Sequence, residues 1–180
     1  MLGACLLIGA GYVSAVRSLS IGGSWAVIGQ QVDVDRVDGR PTYEIGFAPD
    51  LPGIRFALTL SNGGPLPMTV RLAAPNEQAA TDLDQIVGLR VVKVGEAEGS
   101  ISEEATVAVD VVEIPAFGER SVVFEGRSAG CDVARTWNAE ARQSRRAITL
   151  EAAILGVWHE FSLDLPFDQV IGPPPPGVCP

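Results

Sequence analysis

The stretch Phe56-Ala-Leu-Thr-Leu-Ser-Asn-Gly-Gly-Pro-Leu-Pro-Met-Thr-Val-Arg-Leu72 decides the fold class. Phe56, Leu58 and Leu60 alternate with Ala57, Thr59 and Ser61, and after a polar break Met68, Val70 and Leu72 alternate with Thr69 and Arg71. Period two over such spans places one face against a core and the other in water, the pattern of half-buried strands. Asn62-Gly63-Gly64-Pro65 reads as a tight reversal that uses positive φ, with Pro65 and Pro67 keeping the return out of a helix. A phosphate cradle would need a helix directly after the glycines. A strand follows instead, so the break reads as a corner of the sheet.

The same alternation recurs at Tyr43, Ile45 and Phe47, and further strands are expected at Leu89–Val94, Ala105–Ile114, Arg120–Glu125, Ala147–Leu155 and Val157–Leu165. In Ala105–Ile114 the parity slips between Asp110 and Val112, which marks a bulge or a strand that changes its packing partner. Many short strands separated by turn signals indicate an all-β chain, an antiparallel β-sandwich of about seven to nine strands. One short helix is expected after the strand ending at Leu72, with Asn76 as cap and Ala79, Ala80, Leu83, Ile86 and Val87 on one face. Cys131–Arg146 lacks clean alternation and reads as a loop with a helical turn. Aromatic residues make up 6% of the chain against 47% hydrophobic, so the core is expected to be built mainly from Val, Leu, Ile and Ala.

Residues Met1–Val16 carry no charge and are followed by Arg17. Sixteen helical residues span about 24 Å, short of the ~30 Å hydrocarbon layer, and no basic residue precedes the run as a signal peptide would require. A membrane anchor, a signal cleaved after Val13-Ser-Ala15 and a buried helix all stay open, with an apolar transmembrane or signal helix as the leading reading. Leu2-Gly-Ala-Cys5 matches a lipobox in outline, but four residues before Cys5 and an apolar stretch after it are the wrong setting. The chain therefore divides into an apolar segment with its juxtamembrane stretch over 1–30, an acidic linker over 31–41, the sandwich over 42–167 and a Pro-rich tail over 168–180. Pro173–Pro176 in that tail reads as extended polyproline.

The net charge of −9 repels phosphate backbones and speaks against nucleic acid as a partner. Four of the arginines, Arg135, Arg142, Arg145 and Arg146, fall close together and read first as a solvated, charged connection; the alternative is a candidate contact for an anionic partner or lipid head groups. With Cys5 in the apolar segment, Cys131 and Cys179 are left to form one disulfide in an exported chain. Such a bond would tie the tail to the domain.

Residues 54–72, with the order F-x-L-x-L-x-N-G-G-P-L-P-M-T-V, resemble the N-x-G-P-x-P-V-x-V hairpin of bacterial extracytoplasmic immunoglobulin-like domains. Gly22-Gly-Ser-Trp25 after the apolar segment and the late cysteine are similar to features of small single-pass surface proteins of high-GC bacteria. The resemblance implies an immunoglobulin-like sandwich in the bacterial cell envelope, membrane-anchored with an extracytoplasmic domain, or secreted. The core disulfide and intervening Trp of antibody domains are missing.

Little in the sequence points to catalysis. His159 is the sole histidine, which excludes a three-histidine zinc site, the blue-copper ligand set and HExxH. It shares parity with Phe161, Leu163 and Leu165, so it reads as a structural side chain on the inward face. Trp158 takes the opposite face and is a candidate partner contact. Asp33-Val-Asp-Arg-Val-Asp-Gly39 with Glu44 outlines a calcium loop, but its glycine falls one place late for an EF-hand. No cofactor, metal or catalytic residue is expected, and no small-molecule ligand. The reading is a non-enzymatic envelope protein that binds or scaffolds. Its rivals are a hydrolase using His159 and a subunit that joins an assembly by strand addition.

Overall fold

A computed structural model of the chain describes residues 18–28, 32–37, 39–47, 49, 52–74, 82–93, 105–137 and 142–179. Among them run β1 (Leu19–Ile28), β2 (Val32–Val37), β3 (Arg40–Ile45), β4 (Pro52–Asn62), β5 (Met68–Leu72), β6 (Asp84–Val92), β7 (Thr106–Val109), β8 (Val112–Ile114), β9 (Gly118–Ser128), the single helical turn α1 (Cys131–Ala134), β10 (Gln143–Ile154) and β11 (Val157–Ile171). The strands form two sheets, ordered β1-β4-β9-β6-β7 and β2-β3-β11-β10-β5-β8. All described pairings are antiparallel except β3 with β11. The all-β, two-layer expectation holds, with more strands than the sequence pattern counted.

The inner faces meet over Ile54, Phe56, Leu58 and Leu60 from β4, Val122 and Phe124 from β9, and Leu150, Ala152, Ile154, Leu165 and Phe167 from β10 and β11. The core is mainly aliphatic, as expected, with a small group of aromatic rings within it. Phe56 and Phe124 stack at 5.0 Å, Phe167 meets Phe56 edge-on at 5.6 Å, and Trp25 and Tyr43 close over Phe167 at 5.0 and 5.6 Å. These five rings meet in the core, where each buries more apolar surface than an aliphatic side chain.

Several boundaries differ from the sequence reading. The residues assigned to a juxtamembrane stretch contain β1, whose Leu19 is buried and whose Ile21, Trp25 and Val27 pack against the core. Gly22-Gly23-Ser24 hides this alternation, because the register with β4 jumps between Ile21 and Trp25 there. The linker 31–41 holds β2 and the start of β3, joined as a hairpin whose turn carries Gly39 at φ +80°. The outlined calcium loop is thus a strand pair. At the far end β11 continues to Ile171, past the expected limit of 167. The supposed N-terminal helix lies in residues outside those described, and so does the first half of the helix expected over 76–87. The second half of that helix is strand: Asp84–Val92 pairs with β9 on one side and β7 on the other.

The opening stretch is also not a hairpin. β4 belongs to the first sheet and β5 to the second, so Asn62–Pro67 is an arch between layers. Neither Gly63 nor Gly64 takes positive φ. The Asn62 side chain makes the turn instead, accepting the Gly64 N–H at 2.9 Å. The parity slip at Asp110 has a parallel cause, since β7 lies in the first sheet and β8 in the second.

Candidate functional site

Strand directions give the sandwich two distinct ends. At the entry end, where the chain comes in at Ser18, lie the Asn62–Pro67 arch, the β8–β9 turn and the β10–β11 turn. Asn62 organises this end although it is 1% exposed. Its Oδ1 accepts from Ser18 Oγ at 3.0 Å and from the Gly64 amide, and its Nδ2 donates to the Leu66 carbonyl at 2.8 Å and the Pro115 carbonyl at 3.0 Å. One buried amide thereby satisfies three segments at once.

Two turns project beyond it. Leu155-Gly156 joins β10 to β11 with both residues at positive φ, 52° and 79°, the conformation of a two-residue type I′ turn. Asn or Asp is the ordinary first residue there; leucine is strained and 70% exposed. Phe117 in the β8–β9 turn repeats the combination, with φ 50° and 74% exposure. Val157 and Trp158 add further exposed apolar surface beside them. The guanidinium of Arg71 lies 4.0 Å from the Trp158 ring centroid and pairs with Glu151 at 2.6 Å. A cleft between the turns is lined by Pro67, Pro115, Arg120, Leu155 and Trp158 among others. The sequence singled out Trp158 but not Phe117 or Leu155. Their signal was available in Leu-Gly and Phe-Gly at strand reversals, where polar residues are the rule.

The four arginines do not form one patch. Arg135 pairs with Asp132 at 3.3 Å beside α1. Arg142 lies against Gly172 on the tail. Arg146 reaches Asp168 at 3.1 Å, where Arg40 also pairs at 3.3 Å and donates to the Leu165 carbonyl. This group sits at the irregularity opposite Pro166, a residue with no N–H for the ladder. Arg145 turns inward: strand alternation sends it and Arg146 to opposite faces.

Arg145 is the centre of a buried polar bridge between the sheets. Its Nη1 donates to Asp84 Oδ2 at 2.9 Å and to Gln169 Oε1 at 3.2 Å, and its Nη2 donates to the Asp84 carbonyl. The side chains are 14% and 2% exposed for Arg145 and Asp84. Asp84 fits because Gly53 and Gly126 lie beneath it, where a Cβ would come within 1.8 and 2.8 Å of Oδ1. Burial pushes the Asp84 carboxyl above the ordinary carboxylate range, against the opposing pull of Arg145 and the Ile54 amide. Asp82 is raised by burial too, again against Arg145. Sequence periodicity gave no sign of this pair, whose members are 61 positions apart.

At the tail end Cys131 and Cys179 are joined, linking α1 to the C-terminal segment. Phe47, Leu83, Ala134 and Ile171 form a second small core there, with Trp137 packed on it. A cleft of about 650 Å³ opens between this cluster and Pro173–Pro176 and includes Trp137 and Arg142.

His159 stands opposite Ala152 on the inward register of β11, and it lines neither the cleft between the turns nor the one beside Pro173–Pro176. Among the described residues no group of three His, Cys, Asp or Glu side chains is placed to hold a metal ion. No helix among them is long and apolar enough to cross a membrane. The outermost strands offer little to an added strand: β7 has four residues, β8 has three, and β1 and β2 both carry register breaks.

No protein-family model matches the chain, and no curated protein sequence matches it. Among solved structures the chain is similar to the ASH / PapD-like domain of human CEP192 (PapD-like domain 7). The TM-score is 0.32 with 8% identical residues, over 82% of this chain and 83% of that one.

Proposed function

We propose that the chain is a non-enzymatic, immunoglobulin-like β-sandwich of the bacterial cell envelope, tethered to the membrane by its N-terminal segment, which binds or scaffolds a protein partner outside the cytoplasm. The observation that carries this reading is how the side chains are used. Two of the arginines that sequence offered as a contact are engaged by carboxylates of the fold, Arg145 with Asp84 between the sheets and the exposed Arg146 with Asp168, whereas large apolar side chains stand exposed on turns at one end. Rigid layers carrying variable turns suit recognition. The Cys131–Cys179 bond supports export, because such bonds persist in oxidising compartments. The uncharged run Met1–Val16 supports the tether.

Membrane fractionation of the full chain with a C-terminal tag tests the proposal. The expected result is retention in membranes after alkaline washing, release by detergent, and digestion of the tag by protease added outside intact cells. Recovery in the soluble cytosolic fraction, or a tag protected until lysis, refutes it.

A further inference from the structure

We infer that the entry end of the sandwich rests on the lipid surface, with Phe117 and Leu155 inserted at the membrane interface. This rests on the tether proposed above and adds an orientation and a second point of contact to it.

Chain length is the first argument. Only Arg17 separates the uncharged run ending at Val16 from Ser18, and Ser18 is fixed in the fold: its carbonyl accepts the Gly63 amide at 3.0 Å and its hydroxyl donates to Asn62. Two residues of extended chain reach about 7 Å at most. A segment leaving the bilayer at Val16 therefore holds the Asn62 arch against the head groups, and no spacer is available to lift the domain clear.

The second argument is what stands at that end. Asn62 connects Ser18 to the Pro115 carbonyl, and the Phe117 amide bonds to the Gly64 carbonyl, so the Phe117 turn is beside the point of entry. Leu155 lines the same cleft as Pro115. Both residues are large, apolar, more than two-thirds exposed and held at positive φ. Exposure forfeits their burial, and the backbone is strained at each, a combination that points to a use for the side chain. Asn at either position would relieve the strain and hydrate well. Aliphatic and aromatic groups on turn tips gain by entering the interface, and the Trp158 indole with Arg71 across its face suits the head-group level.

Charge selects the lipid. Among the described residues this end carries both signs, Lys93 and Arg120 with Glu113 and Glu119. Contact with a zwitterionic surface is therefore favoured over a strongly anionic one.

The test uses the full chain reconstituted in phosphatidylcholine vesicles, with a photo-reactive residue introduced as Val157→p-benzoylphenylalanine at the entry end or Val178→p-benzoylphenylalanine at the tail end. The inference predicts lipid adducts from position 157 and none from position 178. In the Phe117→Asn, Leu155→Asn double variant the adduct at 157 falls several-fold, because the short tether still keeps this end near the surface, while the melting temperature is equal or higher because both strained positions are relieved. Vesicle-bound chain that gives no lipid adduct at 157, equal adducts at both positions, or adducts to protein instead of lipid overturns the inference and leaves the tether standing. Chain that is absent from the vesicle fraction overturns the tether itself, and this orientation with it.

Discussion

Arg145→Met removes the cation that faces Asp84 while keeping most of the side-chain volume between the sheets. The carboxylate left behind is 2% exposed, and breaking a buried pair in this way costs about 3–5 kcal/mol. Protonation limits that cost. Keeping a carboxyl neutral costs about 1.4 kcal/mol for each pH unit above its ordinary value, hence at most about 5 kcal/mol at pH 7.5 and about 1.5 kcal/mol at pH 5. The direction follows from Asp84, whose folded-state pKa already lies above its unfolded value because of burial. A group shifted this way favours the folded state when protonated, so its cost is full above the folded pKa and is relieved as pH falls through it towards the unfolded value. Without Arg145 the shift grows, since the guanidinium was lowering it. Urea unfolding followed by tryptophan fluorescence should show the variant weaker by about 3 kcal/mol or more at pH 7.5, and the gap to the native chain should narrow by about 2 kcal/mol at pH 5. The Arg145→Met, Asp84→Asn double variant should recover much of the loss. A penalty under about 1 kcal/mol, typical of surface pairs, or a gap independent of pH, refutes the inter-sheet bridge as described.

Further outcomes follow from other parts of the fold. Asn62→Ala strands several buried hydrogen-bonding groups at the arch and should cost about 3 kcal/mol, measured as a lower urea midpoint; a loss under about 1 kcal/mol would mean that water replaces the amide. Trp25→Ala should cost about 3–5 kcal/mol by emptying the site over Phe167, whereas a residue of a juxtamembrane stretch would tolerate the change. Cys131→Ser opens a loop of 48 residues and should lower stability by up to about 4 kcal/mol on the loop-closure estimate. A melting temperature equal to that of the native chain would contradict that staple's role.

The fold class was readable in the sequence because most strands have one dry and one wet face. Phe56–Leu60 and Met68–Leu72 announce themselves by parity, and the break at Asp110 foretold a change of partner. Where parity was interrupted the reading failed. Gly22-Gly23 hid β1, and acidic residues made β2 look like a linker. A run of apolar positions near Leu83–Val87 fits a helical face as well as a strand bounded by a bulge, and the register shift between Ile86 and Gly88 chose the strand. The arch at Asn62 was found, but its mechanism was not, because a buried side chain bonding to Ser18 and Pro115 is a tertiary fact. The places of the arginines were hidden for the same reason: neighbours in sequence, Arg145 and Arg146 take opposite faces of β10, while Arg135 and Arg142 line the tail-end cleft together. The turn residues Phe117 and Leu155 carried a local signal, large apolar side chains before glycine.

The redox state of Cys131 and Cys179 in the producing cell tests the export claim most directly. Cells are quenched in acid, free thiols are blocked with a mass-tagged alkylating reagent, and the full chain is weighed before and after reduction. An exported, stapled sandwich predicts that neither cysteine takes the tag until it is reduced. Labelling of both without reduction would place the body in a reducing compartment and contradict the account.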